Sequence, residues 1–480
     1  MTKPKLPNGL IAFVKRDCPT CELIDEVLAD IETRAGLSTY TQDDPSFPEA
    51  VSHRIDDTEL AVSWHHDIET VPTLIRVENG EEVERIVGWS REQWEPFTGL
   101  NALGTDLPEW RPGCGSLSVD PNLANDLMVK FSGSEISSRR IEFAVLEDEF
   151  DSMFQRGWTD GLPVVPPTEA RVMAMLEGTT RSPSEIVAVA PPDLVDCTVE
   201  KIAINAVMAG CKPEYLPVVI AAVEAVCNDT FNMHGLLATT MPAGPVIVVN
   251  GDIRKRIGMN WSHNAMGQGN RANSTIGRAL QLVIRNVGGG RPGEVDRATH
   301  GQPGKVGFCF AEDEEGSPWG PLNADLGGLA GEDAVTAFAT CGTTLITDQL
   351  SREPDSLCRS LAGGLIGMGN PKAVLGFDAM LVLGPEHASR FRDAGWSKEQ
   401  VIERILQLTE RPGSELVRGA GGIAEGVPAF MADAENVPKI RPGGLMIAHA
   451  GSGAGLFSML LPGWVSGEMG SQKTTVPIRP

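Results

Sequence analysis

A pair of closely spaced cysteines directly behind a short apolar run is the feature that most constrains how this chain folds. Residues 9–14 read Gly-Leu-Ile-Ala-Phe-Val, and the tetrapeptide Cys18-Pro19-Thr20-Cys21 follows shortly afterwards. The apolar run predicts a buried strand, and residues 22–36 place apolar side chains at helical spacing before ending at a glycine. The chain is therefore expected to carry both cysteines from a strand into the start of a helix.

Cysteines in that position favour redox chemistry. Unpaired backbone N–H groups and the positive end of the helix dipole stabilise a thiolate, which lowers its pKa. We expect Cys18 to be the nucleophile and Cys21 to be the resolving thiol. The alternative, half of a zinc site, would need a second CxxC or a suitably spaced Cys/His pair, and neither follows. The sequence predicts a redox-active dithiol, with no metal and no other cofactor.

Three further elements complete the first hundred residues. The stretch Val71-Pro72-Thr73 opens a predicted strand that runs to Val77, and Asn79-Gly80 is a strong hairpin signal. A returning strand is predicted over residues 82–87, and a helix over residues 91–100.

In this order of elements and in the CxxC motif, the first hundred residues resemble the thioredoxin/glutaredoxin superfamily. The resemblance implies a thioredoxin-like fold and a cis peptide bond before Pro72, beside the dithiol. It also implies that Val71, Pro72 and Thr73 dock the substrate. An X–Pro bond is the only common place for a cis peptide, so this expectation is physically permissible.

Composition limits the classes of partner and compartment. The 480 residues carry a formal net charge of −24, which argues against nucleic-acid binding through a basic face. No apolar run is long enough for a membrane helix, so we predict no membrane partner. The nine cysteines are odd in number and scattered, which suits a reducing cytoplasm better than a disulfide framework. The sequence therefore predicts a cytoplasmic protein.

The chain is predicted to contain two domains joined by a linker. Residues 1–103 form the thioredoxin-like domain, residues 104–156 form a linker with the Cys114 loop and a helix, and residues 157–480 form a large domain. Helices alternate with short apolar strands in the large domain, which favours α/β, with α+β as the alternative. This part resembles a set of bacterial proteins that share its Asp-Gly-Leu-Pro-Val-Val-Pro-Pro-Thr and Arg-Ala-Asn-Ser-Thr-Ile-Gly-Arg patterns, and the resemblance implies no activity.

Cys114 is the candidate for a second reactive cysteine. Glycines on both sides allow another thiol or a substrate to approach the sulfur closely, and Arg111 favours a thiolate there. The alternative is a loop cysteine without a role.

The densest polar cluster in the large domain spans residues 260–278. It is rich in asparagine and glycine and opens a helix, so its backbone N–H groups with Arg271 and Arg278 could hold an anionic group. Asn264 and Asn273 are the further candidate substrate contacts, and His263 is the candidate general acid or base. The alternative is that asparagine and glycine serve turn geometry alone.

Together these features predict a thiol-dependent oxidoreductase. The dithiol would pass electrons to a small-molecule substrate or a protein disulfide held by the large domain, with Cys114 as an intermediate. A thioredoxin reductase or a low-molecular-weight thiol would supply the electrons, and a homo-oligomer is compatible with the sequence. One alternative is a lyase or hydrolase working at residues 260–278, with the first domain for docking or regulation. Another is a thiol-dependent chaperone or scaffold.

Overall fold

Two mixed β-sheets with associated helices organise this protein, one sheet in each of two units. In the computed structural model, the described residues are 3–131, 136–141, 147–416 and 429–480. The first unit is Met1–Glu135 and the second is Ile136–Pro480. The predicted α/β class is therefore confirmed at the level of helices combined with mixed sheets.

The first unit contains nine strands and five α-helices among its described residues. They are β1 (Gly9–Val14), α1 (Pro19–Leu23), α2 (Asp25–Ala35), β2 (Leu37–Thr41), β3 (Arg54–Asp56), α3 (Ala61–His65), β4 (Thr70–Val71), β5 (Thr73–Glu78), β6 (Glu81–Val87), β7 (Trp89–Ser90), α4 (Arg91–Thr98), β8 (Trp110–Arg111), β9 (Cys114–Gly115) and α5 (Ala124–Phe131). The segment predicted as a linker thus supplies β8, β9 and α5 to this unit, and its residues 132–135 and 142–146 lie outside the described residues.

The main sheet of the first unit has the order β3-β2-β1-β5-β6. Strands β1, β2 and β3 are parallel to one another. Strand β5 runs antiparallel to β1, and β6 runs antiparallel to β5. Central strand β1 is buried because Ile11, Phe13 and Val14 are fully covered. Two small pairs, β4 with β9 and β7 with β8, attach the segment around Cys114 to this unit.

Two of the predicted elements are each divided into two in the structure. The helix predicted over 22–36 is divided at Ile24 into α1 and α2, and a cis bond between Val71 and Pro72 separates β4 from β5. The hairpin prediction is confirmed, since Asn79 and Gly80 both adopt positive φ between β5 and β6. The cis bond implied by the resemblance is also present.

The second unit contains ten strands and twelve α-helices among its described residues. They are α6 (Glu149–Gln155), α7 (Glu169–Leu176), β10 (Ile186–Ala190), β11 (Val195–Thr198), α8 (Val199–Ala209), α9 (Leu216–Val226), α10 (Met233–Ala238), β12 (Gly244–Asn250), α11 (Ile253–Arg256), α12 (Arg271–Asn286), β13 (Cys309–Ala311), α13 (Leu322–Asp325), β14 (Ala334–Thr340), β15 (Thr344–Thr347), α14 (Pro354–Gly367), β16 (Phe377–Leu383), α15 (Pro385–Asp393), α16 (Lys398–Thr409), α17 (Gly413–Leu416), β17 (Leu445–His449), β18 (Phe457–Val465) and β19 (Thr474–Pro477).

One topology occurs twice in the eight-stranded sheet of this unit. In β12–β15, a parallel pair (β12 with β13) is followed by an antiparallel third strand, β14. In β16–β19, β16 and β17 form the parallel pair and β18 is the antiparallel third strand. The fourth strands are exchanged, because β15 pairs with β18 and β19 pairs with β14. The sheet is therefore built from two interlocked halves.

Alternate residues of the strands face two different cores. Ile247 and Val249 of β12 contact the core formed with α8, α9 and α12, whereas Val246 and Val248 contact a core shared with β16 and β17. This alternation follows from the period of two along a strand. The strands are consequently covered on both faces, and the loops at their ends remain for function. Among the described residues, no helix is long and apolar enough to cross a bilayer.

Candidate functional site

Cys18 lies at the N-cap of α1, at the start of a helix as predicted from the sequence. Its Sγ accepts a hydrogen bond from the backbone N–H of Cys21 at 3.4 Å, and its backbone is extended. Pro19 occupies the first helical position, which suits a residue without an N–H because that group would have no intrahelical partner. The first turn of α1 is thus built around the Cys18 sulfur.

The two cysteines of the pair differ strongly in acidity. Hydrogen bonding with the Cys21 thiol lowers the pKa of Cys18 from its ordinary value of 9.0 to about 5, with smaller contributions from the Cys114 thiol and from the amides of Cys21 and Thr20. Burial opposes this shift but does not outweigh it. Burial also raises the pKa of Cys21 well above its ordinary value, and the neighbouring Cys18 adds to that rise. At neutral pH, a Cys18 thiolate therefore lies beside a protonated Cys21.

Cys114 lies directly at this pair. Its Sγ is 2.8 Å from the Sγ of Cys18, although the two residues are 96 positions apart in the sequence. A covalent S–S bond measures about 2.05 Å, so the two sulfurs are in contact without being bonded. Burial, followed by hydrogen bonding to Cys18, raises the pKa of Cys114. Cys114 is thus a protonated thiol at hydrogen-bond distance from the thiolate.

Strand pairing holds Cys114 in that position. In the antiparallel β4–β9 pair, Val71 lies opposite Cys114 and Thr70 lies opposite Gly115. The hydroxyl of Thr20 donates to the carbonyl of Pro112 at 2.7 Å, which ties the chain before β9 to the first turn of α1. We refer to residues 111–116 as the Cys114 segment.

The predicted docking residues lie beneath this segment. The cis bond before Pro72 brings the carbonyl oxygen of Val71 within 3.6 Å of the Cys18 Sγ. The Thr73 hydroxyl donates to the carbonyl of Thr70 at 2.6 Å. Val71 and Thr73 are both buried, and the edge that the resemblance assigns to a substrate carries the protein's own β9.

Exposure differs between the sulfurs. Cys18 is 1% exposed and Cys21 is fully buried, whereas Cys114 is half-buried. The structure therefore separates Cys18 from solvent and gives it an internal partner thiol. Access of an external disulfide to Cys18 requires the Cys114 segment to leave β4.

The asparagines of the 260–278 loop hold the loop itself. Asn273 is buried, and its side-chain amide donates to the carbonyls of Asn260 and Ala265. Asn264 adopts positive φ and donates to the carbonyl of Gln268 at 2.7 Å. These contacts are turn and loop interactions, as the alternative interpretation of the cluster described.

The two arginines of the loop point to different partners. Arg278 makes two 2.8 Å bonds to the carboxylate of Asp160 and a further bond to the carbonyl of Pro163. The Nε of Arg271 donates to the carbonyl of Gly210 at 2.9 Å. The Arg278 guanidinium therefore forms an ion pair within the protein. Burial raises the pKa of Asp160, but the pair with Arg278 outweighs burial and lowers it.

His263 is exposed. Among the described residues, the one hydrogen-bond partner of its imidazole is the neighbouring Ser262. Its Nδ1 lies 3.3 Å from the hydroxyl of Ser262. Ser262 and Asn264 do line a cavity of about 420 Å³, together with residues from the carboxyl ends of β16 and β17 and the start of β18. The structure therefore brings the start of the predicted loop, but not Asn273, Arg271 or Arg278, to a cavity.

A buried polar cluster in the second unit was not predicted. Both oxygens of Glu312 are used: Oε2 accepts from the Asn250 amide at 2.6 Å and from the N–H of Leu322, and Oε1 accepts from the N–H of His449. Burial raises the pKa of Glu312 and lowers that of His449. The three side chains come from the ends of β12, β13 and β17, and no local sequence pattern connects them.

The remaining cysteines are packed within the second unit. Burial raises the pKa of Cys197, Cys211, Cys227 and Cys358 to about 12 and that of Cys341 to about 11, and it also raises the pKa of Cys309. Thiols with pKa values this high stay protonated and are poor nucleophiles. The acidic cysteine of the chain is Cys18.

Comparisons with known proteins leave the site to be interpreted from its own geometry. Within the described residues, no group of three or more His, Cys, Asp or Glu side chains is arranged to hold a metal ion. No protein-family model, curated protein or solved structure matches this chain.

Proposed function

We propose that this protein is a thiol–disulfide oxidoreductase whose nucleophile is Cys18 and whose resolving thiols are Cys114 and Cys21. The observation that carries the proposal is the 2.8 Å distance between the Sγ atoms of Cys18 and Cys114. The pKa of about 5 for Cys18 supports it, because the thiolate is the attacking species in disulfide exchange.

The first step of the exchange forms a mixed disulfide. The Cys18 thiolate attacks one sulfur of a substrate disulfide, a bond forms between the two, and the substrate's own S–S bond breaks. The released substrate thiolate takes a proton from solvent. Cys114 then attacks the Cys18 sulfur, the bond between Cys18 and the substrate breaks, and a Cys18–Cys114 disulfide forms while the Cys114 proton passes to the second substrate thiolate. The substrate gains two electrons from the protein and two protons, one from Cys114 and one from solvent, because Cys18 starts as a thiolate.

Cys114 is the favoured first resolving thiol on two grounds. It is the half-buried member of the pair of candidates, whereas Cys21 is fully buried. The pKa of Cys21 is raised well above its ordinary value, so its thiolate is scarcely available. Cys21 then exchanges with the Cys18–Cys114 disulfide more slowly.

The thioredoxin/glutaredoxin resemblance adds support from the arrangement of elements. A strand that leads into a CxxC at the start of a helix, a later strand and hairpin preceded by a proline, and a cis bond before Pro72 are the features that the resemblance implies. A low-molecular-weight thiol or a thioredoxin reductase would return the two electrons. Delivery of electrons to the second unit, a cytoplasmic location and the identity of the substrate, as a small molecule or a protein disulfide, stay predictions.

The proposal is tested by turnover of a small aromatic disulfide in the presence of excess external thiol. We expect Cys18→Ser to abolish turnover and Cys21→Ser to retain part of it, because Cys114 still resolves the mixed disulfide. Cys358→Ser, which removes a buried cysteine with a raised pKa in the second unit, serves as the matched control and should behave as the wild type. Full activity in Cys18→Ser would refute the proposal.

A further inference from the structure

The end of α12 carries two arginines that lack an acidic partner among the described residues. Arg285 lies in the last turn of α12, and Arg291 lies in the loop that follows. Both residues are half-buried, and the Nε atom of each is buried without a hydrogen-bond partner. Within the part of the chain that the structure describes, neither guanidinium takes part in a hydrogen bond or an ion pair. The terminal Nη atoms of both side chains remain accessible from solvent.

The loop after α12 folds back onto the helix and brings the two arginines together. Gly289 adopts positive φ, which allows the chain to reverse direction there. The N–H of Gly290 then donates to the carbonyl oxygen of Ile284 at 3.0 Å. Ile284 directly precedes Arg285, and Gly290 directly precedes Arg291. The hydrogen bond between these two neighbours therefore holds the backbones of the arginines close to each other.

The two positive charges act on each other. Burial lowers the pKa of Arg285 from its ordinary value of 12.5, and the charge of Arg291 lowers it further. The carboxylates of Asp160 and Glu294 act in the opposite direction without offsetting this effect. Asp160 is already paired with Arg278 at 2.8 Å, and Glu294 is exposed. The fold thus keeps two neighbouring cations partly out of water without a carboxylate bound to either.

Three other arginines of the second unit show how the fold usually compensates a guanidinium that is removed from water. Each lies within 3.1 Å of a carboxylate oxygen: Arg181 pairs with Glu185, Arg254 with Glu315 and Arg441 with Asp378. Such pairing matters because a partly buried charge without a partner costs free energy. For Arg285 and Arg291, a bound anion would supply the missing negative charge.

The chemistry of the two side chains selects the kind of anion. A guanidinium presents its donors in a planar fork that matches the oxygens of a phosphate or a carboxylate. Two guanidinium groups carry two positive charges, which a phosphate dianion neutralises and a single carboxylate does not. The formal net charge of −24 on the chain disfavours a long polyanion such as a nucleic acid. A small phosphate dianion therefore fits best.

We propose that Arg285 and Arg291 form a binding site for a phosphate dianion, either free or as the phosphoryl group of a small molecule. The solvent-accessible Nη atoms of both guanidinium groups donate to the phosphate oxygens. The site lies in the second unit, whereas the reactive thiols lie in the first. This binding function goes beyond the redox function and does not depend on it.

The first test is isothermal titration calorimetry on the full-length reduced protein, in a phosphate-free buffer at about pH 8, where phosphate is a dianion. Inorganic phosphate is expected to bind, and Arg285→Gln and Arg291→Gln are each expected to weaken binding at least about tenfold. Arg390→Gln is the matched control, because Arg390 on α15 also has a buried Nε without a partner. It should bind as the wild type. Absence of binding, or equal affinity in all three variants, would overturn the proposal.

Two further ligands define the class of anion. Glycerol phosphate that binds more tightly than inorganic phosphate would identify the ligand as a phosphorylated small molecule, and weaker binding would identify it as free phosphate. Acetate at equal ionic strength should bind more weakly than either. Acetate binding as tight as that of phosphate would contradict a site for a dianion.

Thermal unfolding provides a test that does not rely on the heat of binding. Without phosphate, Arg291→Gln should unfold at the same temperature as the wild type or at a higher one, because the substitution removes the repulsion between the two guanidinium groups. Phosphate should raise the unfolding temperature of the wild type by mass action and leave that of the variant unchanged, with sodium chloride at equal ionic strength as the control. A lower unfolding temperature of the phosphate-free variant would show that Arg291 has a stabilising partner within the protein, and would contradict the proposal.

Discussion

Cys114 lies opposite Val71 in an antiparallel strand pair, and this register puts its sulfur 2.8 Å from that of Cys18. The edge beside the cis bond before Pro72 is thereby paired with the protein's own chain. A thiol that arrives at Cys18 in this way is oriented for exchange before any substrate binds. Because β9 contributes only two residues to the pair, little backbone hydrogen bonding has to be broken to move it.

The ionisation of Cys18 gives the first prediction. Thiolate absorbance near 240 nm, taken as wild type minus Cys18→Ser, should rise with a midpoint near pH 5, because hydrogen bonding with Cys21 lowers the pKa to about 5. The folded pKa is depressed below the ordinary 9.0. The Cys18 thiolate therefore contributes its full stabilisation of the reduced protein above pH 9.0, and this stabilisation is lost as the pH falls through about 5. A midpoint near pH 9 would contradict this assignment.

Removal of the partner thiol gives the second prediction. The hydrogen bond from the Cys114 thiol is one of the interactions that lower the pKa of Cys18, so the midpoint for Cys18 should move in Cys114→Ser. In Cys114→Ala, which offers no donor, the midpoint should move upward. Cys341→Ala in the second unit is the control and should leave the midpoint unchanged. An unchanged midpoint in both Cys114 variants would show that the two sulfurs do not interact.

Close packing beside β9 gives the third prediction. A Cβ on Gly113 would lie 2.4 Å from Cγ2 of Thr70 and 2.8 Å from the carbonyl oxygen of Val71. We expect Gly113→Ala to displace the Cys114 segment and to slow formation of a Cys18–Cys114 disulfide by at least tenfold under a fixed glutathione redox buffer.

Gly115 supplies the matched control for that experiment. A Cβ at Gly115 meets no atom within 4 Å, and Gly115 lies on the same strand as Cys114. Gly115→Ala should therefore form the disulfide at the wild-type rate. Equal rates for the two alanine variants would count against the strand pairing as the cause of the sulfur contact.

The ion pair of Arg278 gives the fourth prediction. Its side chain and that of Asp160 are 15% and 13% exposed, so Arg278→Gln leaves a largely buried carboxylate without its cation. The free energy of unfolding of the second unit should fall by about 1–3 kcal/mol. Arg359→Gln, which breaks an exposed pair within α14, should change it by less than about 0.5 kcal/mol. Urea denaturation followed by tryptophan fluorescence measures both, and equal effects would contradict a structural role for Arg278.

Much of the first unit could be predicted because its signals are local. The apolar run of β1, the CxxC and the Asn79-Gly80 hairpin each lie within a few consecutive residues. Cys114 was recognisable as a candidate from its flanking glycines. Its position at Cys18 was not, because the pairing of β4 with β9 joins residues distant in sequence, and each strand is only two residues long.

In the second unit, sequence periodicity identified helices better than strands. Helix α7 can be predicted from the sequence, because its apolar spacing and its Thr168 cap lie within a few consecutive residues. Strand β18 was not predicted, because Pro462 and Gly463 interrupt its pattern, although it is the strand that β15 and β16 both pair with.

The candidate loop at 260–278 shows how one composition supports two interpretations. Asparagine and glycine suit both ligand binding and turns, and only the partners of Asn273 and Arg278 in the fold distinguish them.

Disulfide mapping under mild oxidation tests the central claim most directly. Fully reduced protein is exposed to a glutathione redox buffer, quenched with acid, alkylated and digested without reduction. The account predicts that the first disulfide to accumulate links Cys18 to Cys114. Accumulation of a Cys18–Cys21 disulfide alone, with Cys114 alkylated throughout, would contradict it.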